Sequence, residues 1–202
     1  MKKIFFAFAA LLFAFASVPA AHAALTTGEA APDFSLPDTA GQSHSLAEHK
    51  GSYVVLEWIN HDCPFVKKHY GSGNMQQLQT EYTGKGVVWY SVASSAPEKQ
   101  GHYTAEQWNE LSAEKKSAAS GVLLDPDGAV GKLYGAQTTP HMFIIDPDGK
   151  LIYQGAIDSK SSTNPGDIEG SENYVKKALD EAMSGQPVSN ASTKAYGCSV
   201  KY

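Results

Sequence analysis

Short β-branched and aromatic runs alternate along this chain with segments whose apolar residues recur at helical spacing. Tyr53-Val54-Val55-Leu56-Glu57-Trp58-Ile59, after a Gly51-Ser52 break, reads as a buried strand. Pro64 then marks a helix start, and the helical pattern runs to about Tyr82, with a kink or break expected at Gly71-Ser72-Gly73. Gly86 to Ala93 and Gly121 to Asp125 read as two further buried strands. Between them, Thr104 to Ser117 reads as a helix, with Gln107 placed three residues after Thr104 as in a capping box. A short helix through Val130, Leu133 and Tyr134 follows. Met142 to Asp146 and Leu151 to Gly155, joined at Pro147-Asp148-Gly149, predict an antiparallel hairpin. Tyr174, Val175, Ala178, Leu179, Ala182 and Met183 predict a last helix, closed by Gly185 and Pro187. Nearer the front, Ala31 to Asp38 and Gln42 to Leu46 predict a small hairpin around Thr39-Ala40-Gly41. Strands alternating with helices and finished by a hairpin and a helix indicate an α/β class, a three-layer fold with a central mixed sheet. From Gln186 onward the apolar period is lost, and residues 186–202 read as an extended tail.

The first residues obey a different rule. Met1-Lys2-Lys3 is a positive n-region, Ile4 to Ala16 an apolar stretch, and Ala21-His22-Ala23 a small-x-small cleavage site, the pattern of a secretory signal peptide over residues 1–23. The apolar run is shorter than the ~20 residues a membrane span needs. The expectation is therefore export, with a periplasmic address in a Gram-negative host, and no membrane partner after cleavage. What remains, residues 24–185 plus the tail, is one domain, because 42% hydrophobic and 18% charged residues are ordinary globular composition. Loss of Lys2 and Lys3 takes the formal charge from −5 to −7, which argues against nucleic acid and anionic surfaces as partners. No phosphate loop or internal repeat is present, and no cofactor is called for. Oligomeric state is not legible.

The chain has two cysteines, Cys63 and Cys198. With Pro64 at the first helical position, Cys63 becomes the N-cap, its sulfur facing unpaired backbone N–H groups. That arrangement stabilises a thiolate and lowers its pKa. Lys67, Lys68 and His69 add positive potential, and Asp62 opposes it. The alternative is a small buried hydrophobe, since free cysteines are among the most buried residues.

These residues together resemble the thioredoxin superfamily, and within it the peroxiredoxin-like redoxin branch (alkyl hydroperoxide reductase/thiol-specific antioxidant). The markers are Ala31-Pro32-Asp33-Phe34, the strand leading to Cys63-Pro64, Leu123-Leu124-Asp125, Thr139-Pro140-His141-Met142-Phe143-Ile144-Ile145-Asp146, and Gly149-Lys150 with Tyr153-Gln154-Gly155. The ending Gly197-Cys198-Ser199-Val200-Lys201 is similar to that of a peroxiredoxin-like subgroup. The resemblance implies a thioredoxin-like fold, a cis peptide at Thr139-Pro140 beside Cys63, and substrate contacts from Thr139, Pro140 and Pro64. It also implies that Glu57, six residues before Cys63, is a buried proton relay. Strand alternation alone leaves open a Glu57 turned to solvent.

Three departures limit the reaction. Position 66, where thioredoxin-like oxidoreductases carry their second cysteine, is Val66. The proline and the Thr or Ser expected before a peroxidatic cysteine are replaced by Leu56 and Asn60. All 16 basic residues are lysines, so the arginine that assists peroxide activation is missing. The reading is an exported thiol-disulfide redox protein, with Cys63 as attacking thiol and Cys198 as resolving cysteine, acting on a thiol or disulfide protein or a small peroxide. Two other classes stay open. A binding module could use a structural Cys63–Cys198 disulfide, whose 135-residue separation would be worth roughly 5 kcal/mol on the chain-entropy model. A copper or zinc site could use His61, Cys63 and His69, although copper-delivery proteins on this fold carry a cysteine where Lys67 stands.

Overall fold

The computed structural model describes residues 25–202; the signal-peptide reading of residues 1–23 lies outside them. Five strands form the central sheet in the order β5-β4-β3-β7-β8. β3 (Val54–Trp58) is its middle strand and pairs in parallel with β4 (Val88–Ala93), which pairs in parallel with β5 (Gly121–Leu124). On its other side β3 is antiparallel to β7 (His141–Ile145), and β7 to β8 (Leu151–Gly155). Every residue of β3 and β7 is buried, as expected for strands covered on both faces.

Strand alternation divides the interior into two cores. Val55, Ile59, Met142, Ile144 and Tyr153 face a layer built from α1 (Pro64–Gly71), α2 (Asn74–Thr83), Trp108 of α3 (Ala105–Glu114), and α5 (Tyr174–Met183). Leu56, Trp58, Tyr90, Phe143 and Ile145 face α4 (Ala129–Tyr134) and the hairpin of β1 (Ser35–Pro37) and β2 (Ser43–Ser45), which contributes Phe34, Leu36 and Leu46. The expected three-layer fold is present. No helix among the described residues is long and apolar enough to cross a membrane.

Local chemistry accounts for the element ends. The expected break after the first helix is complete: α1 stops at Gly71 and α2 begins after Gly73, which sits at φ 78°. The Thr104–Gln107 capping box forms in both directions, and α3 then ends at Glu114, earlier than the sequence pattern suggested. A 3₁₀ turn at Ala47–His49 was not foreseen.

The tail is extended, as expected, and its docking is what the sequence left open. It has no apolar period, yet it is packed against the domain along its length. Residues 191–193 run beside β8, with the Gln154 N–H donating to the Ala191 carbonyl and the Thr193 N–H to the Gln154 carbonyl. Gly155, at φ 145°, allows this approach: a Cβ there would lie 2.2 Å from Thr193 Oγ1. The tail ends in β9 (Cys198–Ser199), antiparallel to β6 (Thr138–Thr139).

One buried cluster anchors it. Lys68 of α1 is 1% exposed, and its Nζ donates to Asp158 Oδ2 at 2.9 Å and to the Lys160 carbonyl at 2.9 Å. The Tyr196 hydroxyl donates to the other Asp158 oxygen and lies 3.2 Å from His69 Nε2. Removing one member of a buried ion pair leaves the other charge unpaired in a poorly solvating interior. Lys68→Met is therefore expected to destabilise the fold by about 3–5 kcal/mol in urea unfolding, and Lys68→Met with Asp158→Leu to recover part of that loss.

Candidate redox site

β3 delivers the chain into a tight turn before α1. Asn60 shapes it: its carbonyl accepts from the Cys63 N–H at 3.0 Å, its Oδ1 from the Asp62 N–H at 2.9 Å, and its Nδ2 donates to the Gln100 carbonyl. Asn60 is a turn builder here, and its side chain is committed away from the thiol. Cys63 then occupies the N-cap with extended backbone (φ −70°, ψ 126°), followed by Pro64 at the first helical position, as the sequence pattern indicated.

The sulfur of Cys63 is fully buried. It lies 3.0 Å from the Thr139 carbonyl oxygen and 2.7 Å from Cys198 Sγ, and the two cysteines are free thiols. The Thr139–Pro140 peptide is cis. Backbone pairing of Thr139 with Cys198 places the second sulfur, and Gly197 makes that pairing possible. Gly197 sits at φ 148°, and a Cβ there would lie 2.2 Å from the Thr139 oxygen. Cys63, Thr139 and Cys198 are thus brought together from α1, β6 and β9. Pro140 continues β6 into β7, and Pro64 is exposed beside the buried thiol.

The two thiols are pushed in opposite directions. Burial raises the Cys63 pKa, but hydrogen bonds from the Cys198 thiol and from the Val66, Cys198 and Phe65 N–H groups outweigh it, and the net direction is down. Burial, the hydrogen bond to Cys63 and the Cys63 charge push Cys198 up to about 11, against a small opposing effect of Lys201. Of the two, Cys63 is the thiol that ionises more readily, with neutral Cys198 donating to it, while the Thr139 carbonyl 3.0 Å away is placed to accept from the Cys63 thiol and opposes that ionisation.

This bias does not come from the side chains expected to supply it. Burial, opposed by Asp158 and reinforced by Lys68, takes His69 down to about 4, and burial takes His61 to about 4. Both are neutral near pH 7. The Lys68 charge is paired with Asp158. The Asp62 carboxylate accepts from the Tyr103 hydroxyl at 2.7 Å. Peptide N–H groups and the second thiol carry the effect.

Glu57 faces the same core as Cys63, which excludes the solvent-facing alternative. Its carboxylate accepts from Tyr70 Oη at 3.0 Å, Gln79 Nε2 at 3.2 Å and Trp89 Nε1 at 2.9 Å. Burial outweighs these donors and pushes its pKa up to about 7. His141 packs on the other face, its ring 4.4 Å from Phe143. The sequence reading missed the Lys68–Asp158–Tyr196–His69 cluster, for which no local signal exists. It also passed over Gly197, whose position just before a cysteine was a usable one.

Both the three-layer fold and the cysteine at the strand-to-helix junction beside a cis proline define a thioredoxin-fold redox protein. The chain belongs to the AhpC/TSA family, whose model matches residues 27–154. It is 27% identical over 128 residues to the thiol-disulfide oxidoreductase ResA of Geobacillus thermodenitrificans, covering 63% of this chain and 68% of that protein. Two solved structures resemble nearly the whole chain at TM-score 0.76. One is a hypothetical protein from Sinorhizobium meliloti 1021 (27% identity, 89% of this chain and 96% of that one). The other is an uncharacterized conserved protein from Geobacillus kaustophilus (28% identity, 88% and 93%).

Two outcomes are expected. A carboxylate with a pKa raised from 4.5 to about 7 in the fold keeps its proton while the unfolded chain loses its own. Its stabilising effect is complete below pH 4.5 and is lost as pH rises through 7, a change of roughly 3 kcal/mol. Urea unfolding between pH 4.5 and 8 should show wild type losing roughly 3 kcal/mol relative to Glu57→Gln across that window, superimposed on the rise with pH that buried neutral His61 and His69 give to both proteins. Gly197→Ala should displace β9 from Thr139, making Cys63 alkylation at least tenfold faster while far-UV circular dichroism stays unchanged.

Proposed function

We propose that this protein is an exported thiol-disulfide oxidoreductase in which Cys63 attacks and Cys198 resolves. The observation that carries the reading is the 2.7 Å approach of two free thiols whose pKa values are pushed apart. A disulfide bond of about 2.05 Å requires only sub-ångström movement from there.

Reduction of a partner runs in two balanced steps. The Cys63 thiolate attacks one sulfur of a partner disulfide, forming a mixed disulfide and expelling the partner's other sulfur as a thiolate. With Cys63 no longer charged, the upward push it exerts on Cys198 is relieved. Cys198 loses its proton and attacks the Cys63 sulfur, which releases the partner's second thiolate and leaves a Cys63–Cys198 disulfide. In reverse the bridge oxidises a partner dithiol. Charge and protons both balance: the negative charge of the Cys63 thiolate leaves on one partner thiolate, and the proton given up by Cys198 is taken by the other.

Access requires the tail to lift, because Cys63 is fully buried with β9 in place; the Val66 and Phe65 N–H groups stay with its sulfur when it does, and the tail's N–H and thiol return as it reseats. Lifting frees the backbone of Thr138 and Thr139, and Thr139 Oγ1 is a buried hydroxyl without a hydrogen-bond partner. A partner segment flanking its cysteine can take the pairing that β9 vacates, held between Thr139-Pro140 and exposed Pro64. Glu57 is assigned proton exchange with the buried site, consistent with a pKa near the working range. Small peroxides are weaker substrates on this reading, since Lys68, the buried cation of α1, is engaged by Asp158. A metal at Cys63 is disfavoured because His69 is fully buried and held on both sides, by Tyr196 Oη at Nε2 and by Asn74 at Nδ1.

Equilibration in defined glutathione buffers tests the proposal, with Cys63 alkylation followed against pH in wild type and Cys198→Ser. Wild type should show a reversible two-electron couple and a depressed Cys63 pKa. Cys198→Ser should lose the couple and accumulate a mixed disulfide with glutathione. A bridge that resists reduction, with an ordinary Cys63 pKa, would instead establish a structural staple in a binding module. Amino-terminal sequencing of exported protein should begin at Ala24.

A further inference from the structure

On the sheet face opposite the thiols, three side chains from one short stretch converge. His44 of β2 and His49 of the following 3₁₀ turn flank the hydroxyl of Tyr90, a buried residue of β4. His44 Nδ1 and His49 Nε2 each lie 3.1 Å from that one oxygen. Ligand atoms of His44, Glu48 and His49 all fall within 4.8 Å of one another.

The cluster is oriented from behind. His44 Nε2 lies 3.0 Å from Asp38 Oδ2, and the other Asp38 oxygen accepts from the Ala40 and Gln42 N–H groups at 2.8 and 2.9 Å. A carboxylate can only accept there, so Nε2 carries the proton and the Nδ1 lone pair points into the cluster. The carboxylate–histidine arrangement is the one that fixes the tautomer of metal-binding imidazoles. The Tyr90 hydroxyl donates its single hydrogen to one imidazole, and its oxygen can accept from the N–H of the other, so metal binding here would exchange these hydroxyl bonds for coordination. The Glu48 carboxylate accepts from the Ser45 N–H through Oε2, and its Oε1 is not used in that bond.

We propose that His44, Glu48 and His49 form a binding site for a divalent transition-metal ion of the zinc class, oriented by Asp38 and walled by Tyr90. Two imidazoles and a carboxylate, with no thiolate, form a ligand set typical of Zn²⁺ sites that leave a coordination position open. Tetrahedral zinc at about 2.0–2.1 Å holds its ligand atoms roughly 3.3 Å apart. The three groups must therefore close by an ångström or so, and Glu48, being exposed, is free to swing. None of these residues belongs to the redox site, so the site is independent of that function.

Titration with Zn²⁺ alone, by calorimetry on full-length protein carrying Cys63→Ser and Cys198→Ser, removes thiolate binding from the experiment. One equivalent should bind at micromolar or tighter affinity, and His44→Ala, His49→Ala and Glu48→Gln should each weaken it at least tenfold. Co²⁺ on the same protein should give visible d–d bands without sulfur charge transfer, a readout that does not depend on any further variant folding. Absence of zinc uptake at micromolar concentrations, or affinity unchanged within twofold in His49→Ala, would overturn the assignment.

Discussion

Thr139 holds two partners at once. Its backbone pairs with Cys198, and its carbonyl oxygen lies 3.0 Å from the Cys63 sulfur. This joint between the penultimate strand and the end of the chain places the second sulfur and buries the first. Gly197 permits it sterically, because at φ 148° the backbone passes close enough to the Thr139 oxygen that any side chain would collide.

The pKa asymmetry of the thiols follows from the same joint. A helix N-terminus stabilises a thiolate through unpaired N–H groups, and here the tail contributes a further N–H and a thiol donor of its own. Burial opposes this on both sulfurs. Cys63 has enough donors to overcome it, whereas Cys198 has the Cys63 charge against it and stays protonated.

The tail is held by polar anchors more than by an apolar face. Tyr196 reaches into the Lys68–Asp158 pair, and the Tyr202 hydroxyl donates to the Ala136 carbonyl at 2.7 Å. Such anchors release in units, since each hydrogen bond exchanged for water costs far less than exposing an equivalent apolar surface.

Much of the fold was legible in the sequence. Buried strands such as Val54–Trp58 show themselves as apolar runs because both sheet faces are covered. The Thr104 capping box and Pro64 are short-range chemistry that operates wherever it occurs. The position of Cys63 at the helix start followed from the same local rules. The sequence could not distinguish whether Glu57 faces the interior or solvent, since both orientations fit a strand of that composition. Nor did it reveal the role of Lys68: in a helix rich in lysine, nothing local separates a buried lysine from a solvated one. The tail lacked an apolar period because its docking relies on backbone pairing and tyrosine hydroxyls, which leave no periodic trace. Local propensity and patterning thus determined the elements and the primary thiol. Only tertiary structure, by joining residues 135 positions apart through a backbone ladder, decided that the Cys198 sulfur lies against the fully buried sulfur of Cys63.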